Sequence, residues 1–255
     1  MKGIGIMKTN YGIQMYSLRD VTEKDLEGAL RMVSEMGYKY VEFAGFFGHP
    51  AEDVKAWLDK YSLEVSGTHT GFDELVPEKL EATIAYHKAI GNKNIIVPGF
   101  NRTDEGLENL ISTLNYALPI LKENGISLGY HNHSSEFLPS ASGRYYHKEI
   151  EERTDVEFEL DTFWAYNAEL DPVELMEKFK NRMKVVHLKD GFASGAKIER
   201  GAIGKSVGLG AAPVREVIAK ANELGMLLVV ESEGLDPTGP EEVKRCIDFL
   251  KSIEE

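Results

Sequence analysis

The sequence has one cysteine, no long apolar run and no cluster of basic residues, and each lack excludes a class of protein. Cys246 has no partner for an internal disulfide, so disulfide-stabilised secreted folds are excluded. No apolar stretch reaches the length of a membrane-spanning helix, and Met1–Asn10 lacks the apolar core of a secretory signal. We therefore expect a soluble, cytoplasmic protein with no membrane partner.

Positive charge is also scarce, because 29 Lys and Arg residues stand against 42 Asp and Glu residues, a net charge of −13. A field of this sign repels phosphate backbones, so we expect no nucleic-acid partner. Hydrophobic residues make up 42% of the chain, which is enough for a sizeable core. A length of 255 residues suits one large α/β domain, and we predict a single catalytic domain over residues 1–255.

Short runs rich in apolar and β-branched residues alternate with amphipathic helical patterns along the whole chain. Such runs are typical of parallel strands that are buried on both faces. The predicted strands are Gly12–Ser17, Tyr40–Ala44, Glu64–His69, Asn94–Pro98, Ser127–His131, Val156–Asp161, Lys184–Lys189 and Leu227–Glu231. The predicted helices cover residues 22–36, 50–61, 77–90, 103–124, 146–153, 171–181, 213–224 and 239–252.

Glycine and proline support these helix boundaries. Pro172 and Pro240 stand at first helical positions, where the missing N–H costs nothing. Pro119 lies inside the fourth helix and is expected to kink or divide it. Four glycines close helices just before a strand, where a left-handed cap is favoured: Gly37, Gly91, Gly125 and Gly225.

Eight strands in strict alternation with eight helices fit either a closed (β/α)8 TIM barrel or an open doubly wound sheet. No G-x-G-x-x-G motif follows the first strand, so the main sign of a dinucleotide-binding sheet is missing. The count of eight favours the barrel. Two long loops, Ser134–Tyr145 and Gly191–Ala212, follow strands five and seven, and we expect the second to act as a lid or to line the substrate pocket.

Polar residues concentrate where the strands end, which in a barrel is the catalytic face. Strand one carries Gln14 and Tyr16, strand two carries Glu42, and strand three ends at His69. The last four strands each end in a polar group of residues. These groups are Tyr130-His131-Asn132-His133, Glu159-Leu160-Asp161, His187-Leu188-Lys189-Asp190 and Glu231-Ser232-Glu233.

Each of these residues alone has an ordinary explanation, such as a capping aspartate or a hydrogen-bonded structural histidine. His49, His87 and His147, which lie in loops or helices, are interpreted in that way. Four consecutive strands that place imidazoles and carboxylates at one rim need more than these ordinary explanations, because unpaired buried charges are costly. A shared divalent cation is the simplest partner, and the mixed nitrogen and oxygen donors suit Mn²⁺, Zn²⁺, Co²⁺ or Fe²⁺ better than Mg²⁺.

At these residues the sequence resembles the xylose isomerase-like TIM-barrel superfamily, also called the sugar phosphate isomerase/epimerase family. The similarity runs over nearly the whole chain, from Gly12-Ile13-Gln14-Met15-Tyr16-Ser17-Leu18-Arg19 to Val230-Glu231. It includes Tyr-His-Asn-His of strand five, Leu160-Asp161-Thr162 of strand six and His187-Leu188-Lys189-Asp190 of strand seven. Each motif is short, and their order and barrel spacing make them specific for the superfamily but not for one reaction.

The resemblance implies a metal held by a strand-five residue, Asp161, His187 and Glu231. In the ketose epimerases of this family the strand-five ligand is a glutamate that also moves protons, whereas the matching position here is Gly129. We expect His131, the next residue on the same face, to replace it. Relatives often carry Gly-Glu-Gly in the strand-seven loop, where this chain has Gly208-Leu209-Gly210.

The implied chemistry is metal-assisted proton transfer next to a carbonyl. Glu231 is the candidate base as well as a ligand, as the resemblance implies. Lys189 either polarises a substrate oxygen or pairs with Asp190 or another rim carboxylate. His133 and His69 are candidate acid–base or hydroxyl-binding groups.

The expected substrate is a small sugar or sugar-like polyol. Trp164, which follows Asp161 closely, is a candidate wall against a sugar face, whereas Trp57 is interpreted as helix packing. Glu42 either binds a substrate hydroxyl or pairs with a neighbouring cation. The full set of candidate substrate-binding residues is Gln14, Glu42, His69, Trp164 and Glu233.

Loss of the strand-five glutamate widens the choice of reaction. Epimerisation uses two flanking bases, whereas isomerisation needs one base, and so does β-elimination of water from a keto-polyol such as an inosose. We rank isomerase or epimerase first and dehydratase or lyase second. A non-catalytic sugar-binding barrel and an abasic-site endonuclease are remote alternatives, the latter disfavoured by the acidic charge. A homo-oligomer is possible by analogy with other barrels.

Overall fold

The computed structural model describes residues 10–192 and 204–254, and eight parallel strands in them close into a barrel. Each strand pairs with its neighbours in the sequence, and the last strand pairs with the first through Ile13 and Val230. This confirms the (β/α)8 TIM barrel. The strands are β1 (Gly12–Gln14), β2 (Tyr40–Phe43), β3 (Glu64–His69), β4 (Asn94–Val97), β5 (Ser127–His131), β6 (Glu157–Asp161), β7 (Val185–Leu188) and β8 (Leu227–Val230).

The α-helices lie between the strands and match the predicted pattern with two differences. The first predicted helix is two helices, and Asp25 caps the second by accepting a hydrogen bond from the Gly28 amide at 2.8 Å. A further short helix follows β6. The helices are Arg19–Thr22, Leu26–Met36, Ala51–Tyr61, Leu80–Ala89, Asp104–Glu123, Tyr146–Arg153, Thr162–Asn167, Pro172–Phe179, Val214–Leu224 and Gly239–Ile253.

Pro119 does not divide its helix, which runs unbroken from Asp104 to Glu123, so the expectation of a division is wrong. Proline removes one hydrogen bond, but the buried side chains on either side, including Leu114 and Leu121, keep both halves against the barrel. The glycine caps are confirmed, since all four have positive φ: Gly37, Gly91, Gly125 and Gly225.

The first strand is shorter than predicted. It stops at Gln14, because the Gln14 side chain accepts a hydrogen bond from the Tyr16 amide at 3.0 Å and the chain turns into a 3-10 helix over Met15–Leu18. Tyr16 is 43% exposed and lies off the strand. After β7, Asp190–Gly191 forms a short antiparallel ladder with Gly204–Lys205, and residues 193–203 of the predicted lid lie outside the described residues.

The barrel wall and the inner helix faces form one apolar core. Trp57 packs at the edge of this core, as predicted. His147 lies buried with its ring 4.4 Å from that of Phe137 and 4.8 Å from that of Phe158, in agreement with a structural role. Within the described residues, no helix is both long and apolar enough to cross a membrane.

His87 is a buried histidine that is held neutral. The Asn92 side chain donates to its Nδ1 at 2.9 Å, so the ring proton belongs on Nε2. Burial lowers the pKa of His87 from its ordinary 6.5 to about 4.

We expect His87 to make the protein less stable in acid. Because its pKa is lower in the folded state, the unfolded state binds the extra proton first, and stability falls as the pH drops from 6.5 towards about 4. In that window His87→Asn should flatten the pH dependence of the free energy of unfolding by about 1.4 kcal/mol per pH unit. Urea titrations of both proteins across this range measure the difference, and parallel curves would contradict it.

Candidate functional site

Four of the polar strand ends meet inside the mouth of the barrel. His131 ends β5, Asp161 ends β6, His187 lies on β7 and Glu231 directly follows β8. One potential ligand atom from each lies within 4.8 Å of those of the other three, and all four residues are buried. Two imidazoles and two carboxylates at this spacing form a donor set that suits a first-row divalent cation.

Asp161 offers one oxygen that the fold itself does not use. Its Oδ1 accepts a hydrogen bond from the Trp164 amide at 2.8 Å and so caps the helix after β6. Its Oδ2 is buried and has no hydrogen-bond partner among the described residues. Helix capping therefore accounts for Oδ1 of this carboxylate. Oδ2 remains available to a cation bound among the four potential ligands.

The strand register fixes the relative positions of these side chains. Asp161 is paired with His187 across β6 and β7, and the Thr162 hydroxyl donates to the His187 carbonyl at 2.9 Å. Between β5 and β6, the Asn132 side chain accepts from the Asp161 amide at 3.0 Å and donates to its carbonyl at 3.3 Å. These side-chain hydrogen bonds hold β5, β6 and β7 together at the barrel rim, where the regular backbone hydrogen bonds of the sheet end.

Gly129 is one step deeper in the barrel than His131. A Cβ at Gly129 would meet the Glu157 backbone at 3.5 Å and the Ile96 side chain at 3.6 Å. His131 is paired with Glu159 and belongs to the cluster itself. The geometry thus supports His131 as the strand-five donor.

A second layer of polar side chains lies beneath the first and centres on Glu42. Its Oε1 accepts from Gln14 Nε2 at 2.6 Å and lies 2.8 Å from His187 Nε2 and 3.1 Å from His69 Nε2. Gln14 and Glu42 are fully buried, and the absence of a side chain at Gly67 leaves room for the Glu42 carboxylate. The alternative in which Glu42 pairs with neighbouring cationic groups therefore has a structural basis.

Glu159 belongs to this lower layer and was not assigned a role from the sequence. Its Oε2 lies 2.8 Å from His69 Nε2, 3.1 Å from His187 Nε2 and 3.3 Å from His131 Nδ1. Strand alternation places Glu159 on the same face as Asp161, which lies two residues further along β6. That alternation was the signal in the sequence that could have identified it.

Lys189 spans the front of the site. Its side chain is 1% exposed, and its ammonium lies 3.3 Å from Glu231 Oε2 and 3.6 Å from Asp161 Oδ2 and also donates to Glu233. The Nζ atom is 4.6 Å from the ring centroid of Trp164. Lys189 thus pairs with rim carboxylates rather than with Asp190.

His133 stands at the outer edge of the mouth, where its side chain is 31% exposed. Its ring centroid is 5.2 Å from that of His131 and 5.8 Å from that of Trp164. Its Nδ1 lies 3.7 Å from Glu136, a buried carboxylate that also accepts from the Tyr130 hydroxyl at 3.0 Å. Trp164 itself is 8% exposed and closes this side of the site.

The electrostatics show how crowded the negative charges are. Burial raises the pKa of Asp161 to about 6 despite Lys189, and burial together with the charge of Glu42 raises the pKa of Glu159. Burial would also raise the pKa of Glu231, but Lys189 and His187 outweigh it and lower that pKa well below its usual range. A divalent cation would relieve this crowding.

Two buried carboxylates hold the loops that carry Lys189 and Glu233. Asp190 accepts four backbone N–H bonds, from Gly191, Gly208, Gly210 and Ala212, at 2.8–3.1 Å. Glu242 accepts from the amides of Gly234 and Asp236 at 3.2 and 2.9 Å.

Comparison with known proteins identifies the family. Residues 30–253 match the family model described as the xylose isomerase-like TIM barrel. The chain is 26% identical to an inosose dehydratase of Geobacillus kaustophilus over 63% of this chain and 60% of that protein. It is 27% identical to an inosose dehydratase of Mesomycoplasma hyopneumoniae over 88% of each chain.

Solved structures agree with the fold. A sugar phosphate isomerase/epimerase from Parabacteroides distasonis superposes with a TM-score of 0.78 at 27% identity, over 96% of this chain and 98% of that one. A protein called IOLI, whose structure contains a zinc atom, superposes with a TM-score of 0.73 at 14% identity, over 96% and 98% of the two chains.

We expect Asp190→Ala to destabilise the protein by about 1–3 kcal/mol, because several amide donors lose their shared acceptor. Chemical denaturation measures this cost. Asp248→Ala is the control, since Asp248 makes an exposed pair with Lys244 and should change stability by less than about 0.5 kcal/mol. Equal effects in the two variants would show that Asp190 does not anchor the loop.

Proposed function

Because the chain belongs to the xylose isomerase-like TIM-barrel family, we propose that it is a metal-dependent isomerase or epimerase of a sugar or sugar-like polyol. The observation that carries this proposal is the buried set His131, Asp161, His187 and Glu231, with ligand atoms within 4.8 Å of one another. The relatives and structures similar to this chain include two inosose dehydratases and a sugar phosphate isomerase/epimerase. The single catalytic domain over residues 1–255 and a possible homo-oligomer remain predictions.

In this proposal those four residues hold the ion. Their imidazole and carboxylate donors favour Mn²⁺, Zn²⁺, Co²⁺ or Fe²⁺ over Mg²⁺, and zinc in a structure of the same fold is in keeping with that choice. When bound, the cation would supply Lewis-acid stabilisation of the negative charge that develops on substrate oxygens.

The protein side chains supply proton transfer and orientation. Glu231 is the proposed base, and its pair with Lys189 keeps its carboxylate ionised and therefore able to accept a proton from carbon. Lys189, the partner of Glu231 in this ion pair, can donate a hydrogen bond to a substrate oxygen. His133, at the edge of the mouth, is the proposed acid that returns a proton to the substrate.

The substrate would lie against Trp164, whose ring faces Lys189, with Glu233 and His69 binding hydroxyl groups. Gln14 and Glu42 are fully buried and bonded to each other. Their predicted contact with substrate requires a hydroxyl group that enters the barrel.

Dehydration of an inosose-like keto-polyol is the second candidate. The same abstraction of a proton next to the carbonyl begins a β-elimination, which then needs an acid at the neighbouring hydroxyl, and His133 or Lys189 can provide it. The specific support is the likeness to two inosose dehydratases, one of which matches over 88% of both chains.

We expect purified protein to bind one divalent ion, and Asp161→Asn to weaken that binding by more than about 100-fold, beyond what outer-shell changes cause. Asparagine still caps the helix through its carbonyl oxygen, so the loss reports on Oδ2. Asp171→Asn, at a helix cap near the surface, is the matched control. Elemental analysis and chelator competition measure both, and equal affinity in all three proteins would refute the metal site.

We expect the metal-loaded protein to exchange substrate protons with solvent. Incubated in D₂O with keto-sugars and inososes, it should place deuterium on the carbon next to the carbonyl, as measured by NMR and mass spectrometry. An aldose, ketose or epimer product supports the first proposal, and a product lighter by one water supports dehydration. Absence of exchange with every substrate, in protein shown to contain metal, argues against both reactions.

A further inference from the structure

We infer that Glu159 is a positioning residue that orients the imidazole ligand His131 and, together with Glu42, the imidazole ligand His187 towards the ion. This inference rests on the proposed function, because it concerns the same metal site. Glu159 is 2% exposed and lies on β6, two residues before Asp161. None of the roles proposed above uses it.

The two ring nitrogens of His187 face different partners. Nδ1 lies 3.3 Å from Glu231 Oε2, on the side of the predicted ligand set. Nε2 lies 3.1 Å from Glu159 Oε2 and 2.8 Å from Glu42 Oε1. A histidine that binds metal through one nitrogen usually donates its other N–H to a carboxylate, which fixes the tautomer and the ring orientation. His187 is therefore arranged to bind through Nδ1.

His131 faces Glu159 through the other ring nitrogen. Its Nδ1 lies 3.3 Å from the same Glu159 oxygen, which leaves Nε2 as the nitrogen available to the ion. Glu159 Oε2 thus pairs with His131 Nδ1 and, at 2.8 Å, with His69 Nε2, and it lies 3.1 Å from His187 Nε2, whose hydrogen bond goes to Glu42 Oε1. The loss of Glu159 would free the His131 ring to change tautomer and to rotate, and it would leave His187 held by Glu42 alone on that side.

A competing arrangement makes Glu159 a ligand itself. His69, His131, Glu159 and His187 also place one potential ligand atom each within 4.8 Å of the others. That arrangement would use His187 Nε2, which already contacts two carboxylates, and it would leave Asp161 Oδ2 without a partner. The two arrangements differ in their dependence on His69 and Asp161.

The test is metal affinity, measured by chelator competition, together with the visible spectrum of the Co²⁺-loaded protein. We expect Glu159→Ala to weaken binding by about 10- to 100-fold and to alter the spectrum. Glu159→Gln should fall between Glu159→Ala and the wild type, because its amide oxygen still accepts one hydrogen bond. Glu157→Gln, on the same strand and paired with exposed Lys184, should keep wild-type affinity and spectrum. Glu159→Gln carries the test should Glu159→Ala fail to fold.

Two further variants separate the arrangements. His69→Asn should weaken metal binding far less than Asp161→Asn does. The reverse order would make Glu159 a ligand and overturn the inference, and so would wild-type affinity and spectrum in both Glu159 variants. Those outcomes leave the proposed function intact, whereas a wild-type protein that binds no metal refutes that function itself.

Discussion

Buried negative charge is the constraint on which the rest of the site depends. Glu42, Glu159, Asp161 and Glu231 all project into the barrel mouth with at most 4% of their surface exposed. Isolated carboxylates at such depth are costly, so each must find a proton, a hydrogen-bond donor or a cation. The fold supplies Lys189 and the imidazoles, and these do not satisfy every oxygen, since Asp161 Oδ2 lies 3.6 Å from the Lys189 ammonium and has no hydrogen-bond partner among the described residues. This imbalance supports the proposed metal ion.

The layering of the site follows from strand geometry. Side chains two residues apart on a parallel strand point to the same face at different depths, so β6 contributes Asp161 to the upper layer and Glu159 to the lower one. Histidine joins the layers because its two nitrogens lie on opposite sides of one ring. In His187 these nitrogens face Glu231 above and Glu42 below. In our proposal, the carboxylates of the lower layer therefore govern the orientation of the imidazoles in the upper layer.

The sequence predicts the fold almost completely, since hydrophobic runs and helix caps are local signals. Glu64–His69 and Ser127–His131 have the same bounds in prediction and structure, and the misplaced end of β1 reflects a side-chain bond from Gln14 that no periodicity encodes. The convergence of the rim residues was predictable from their strand-end positions. The proposed role of Glu159 was harder to predict from the sequence, because its partners come from β3, β5 and β7, and only the closed barrel brings them together.

The loops that complete the site depend on a local alternation along the chain. After β7, Lys189 points into the mouth towards Glu231, whereas the next residue, Asp190, points away and binds the backbone of residues 208–212. After β8, Glu233 pairs with Lys189 while the neighbouring backbone is bound by Glu242. The adjacent residues Lys189 and Asp190, which carry opposite charges, thus have separate tasks, one in the site and one in its support. Because Asp190 and Glu242 bind backbone amides, they anchor these loops independently of the side chains that enter the site. The anchoring of the loops is therefore separate from the residues of the proposed metal site.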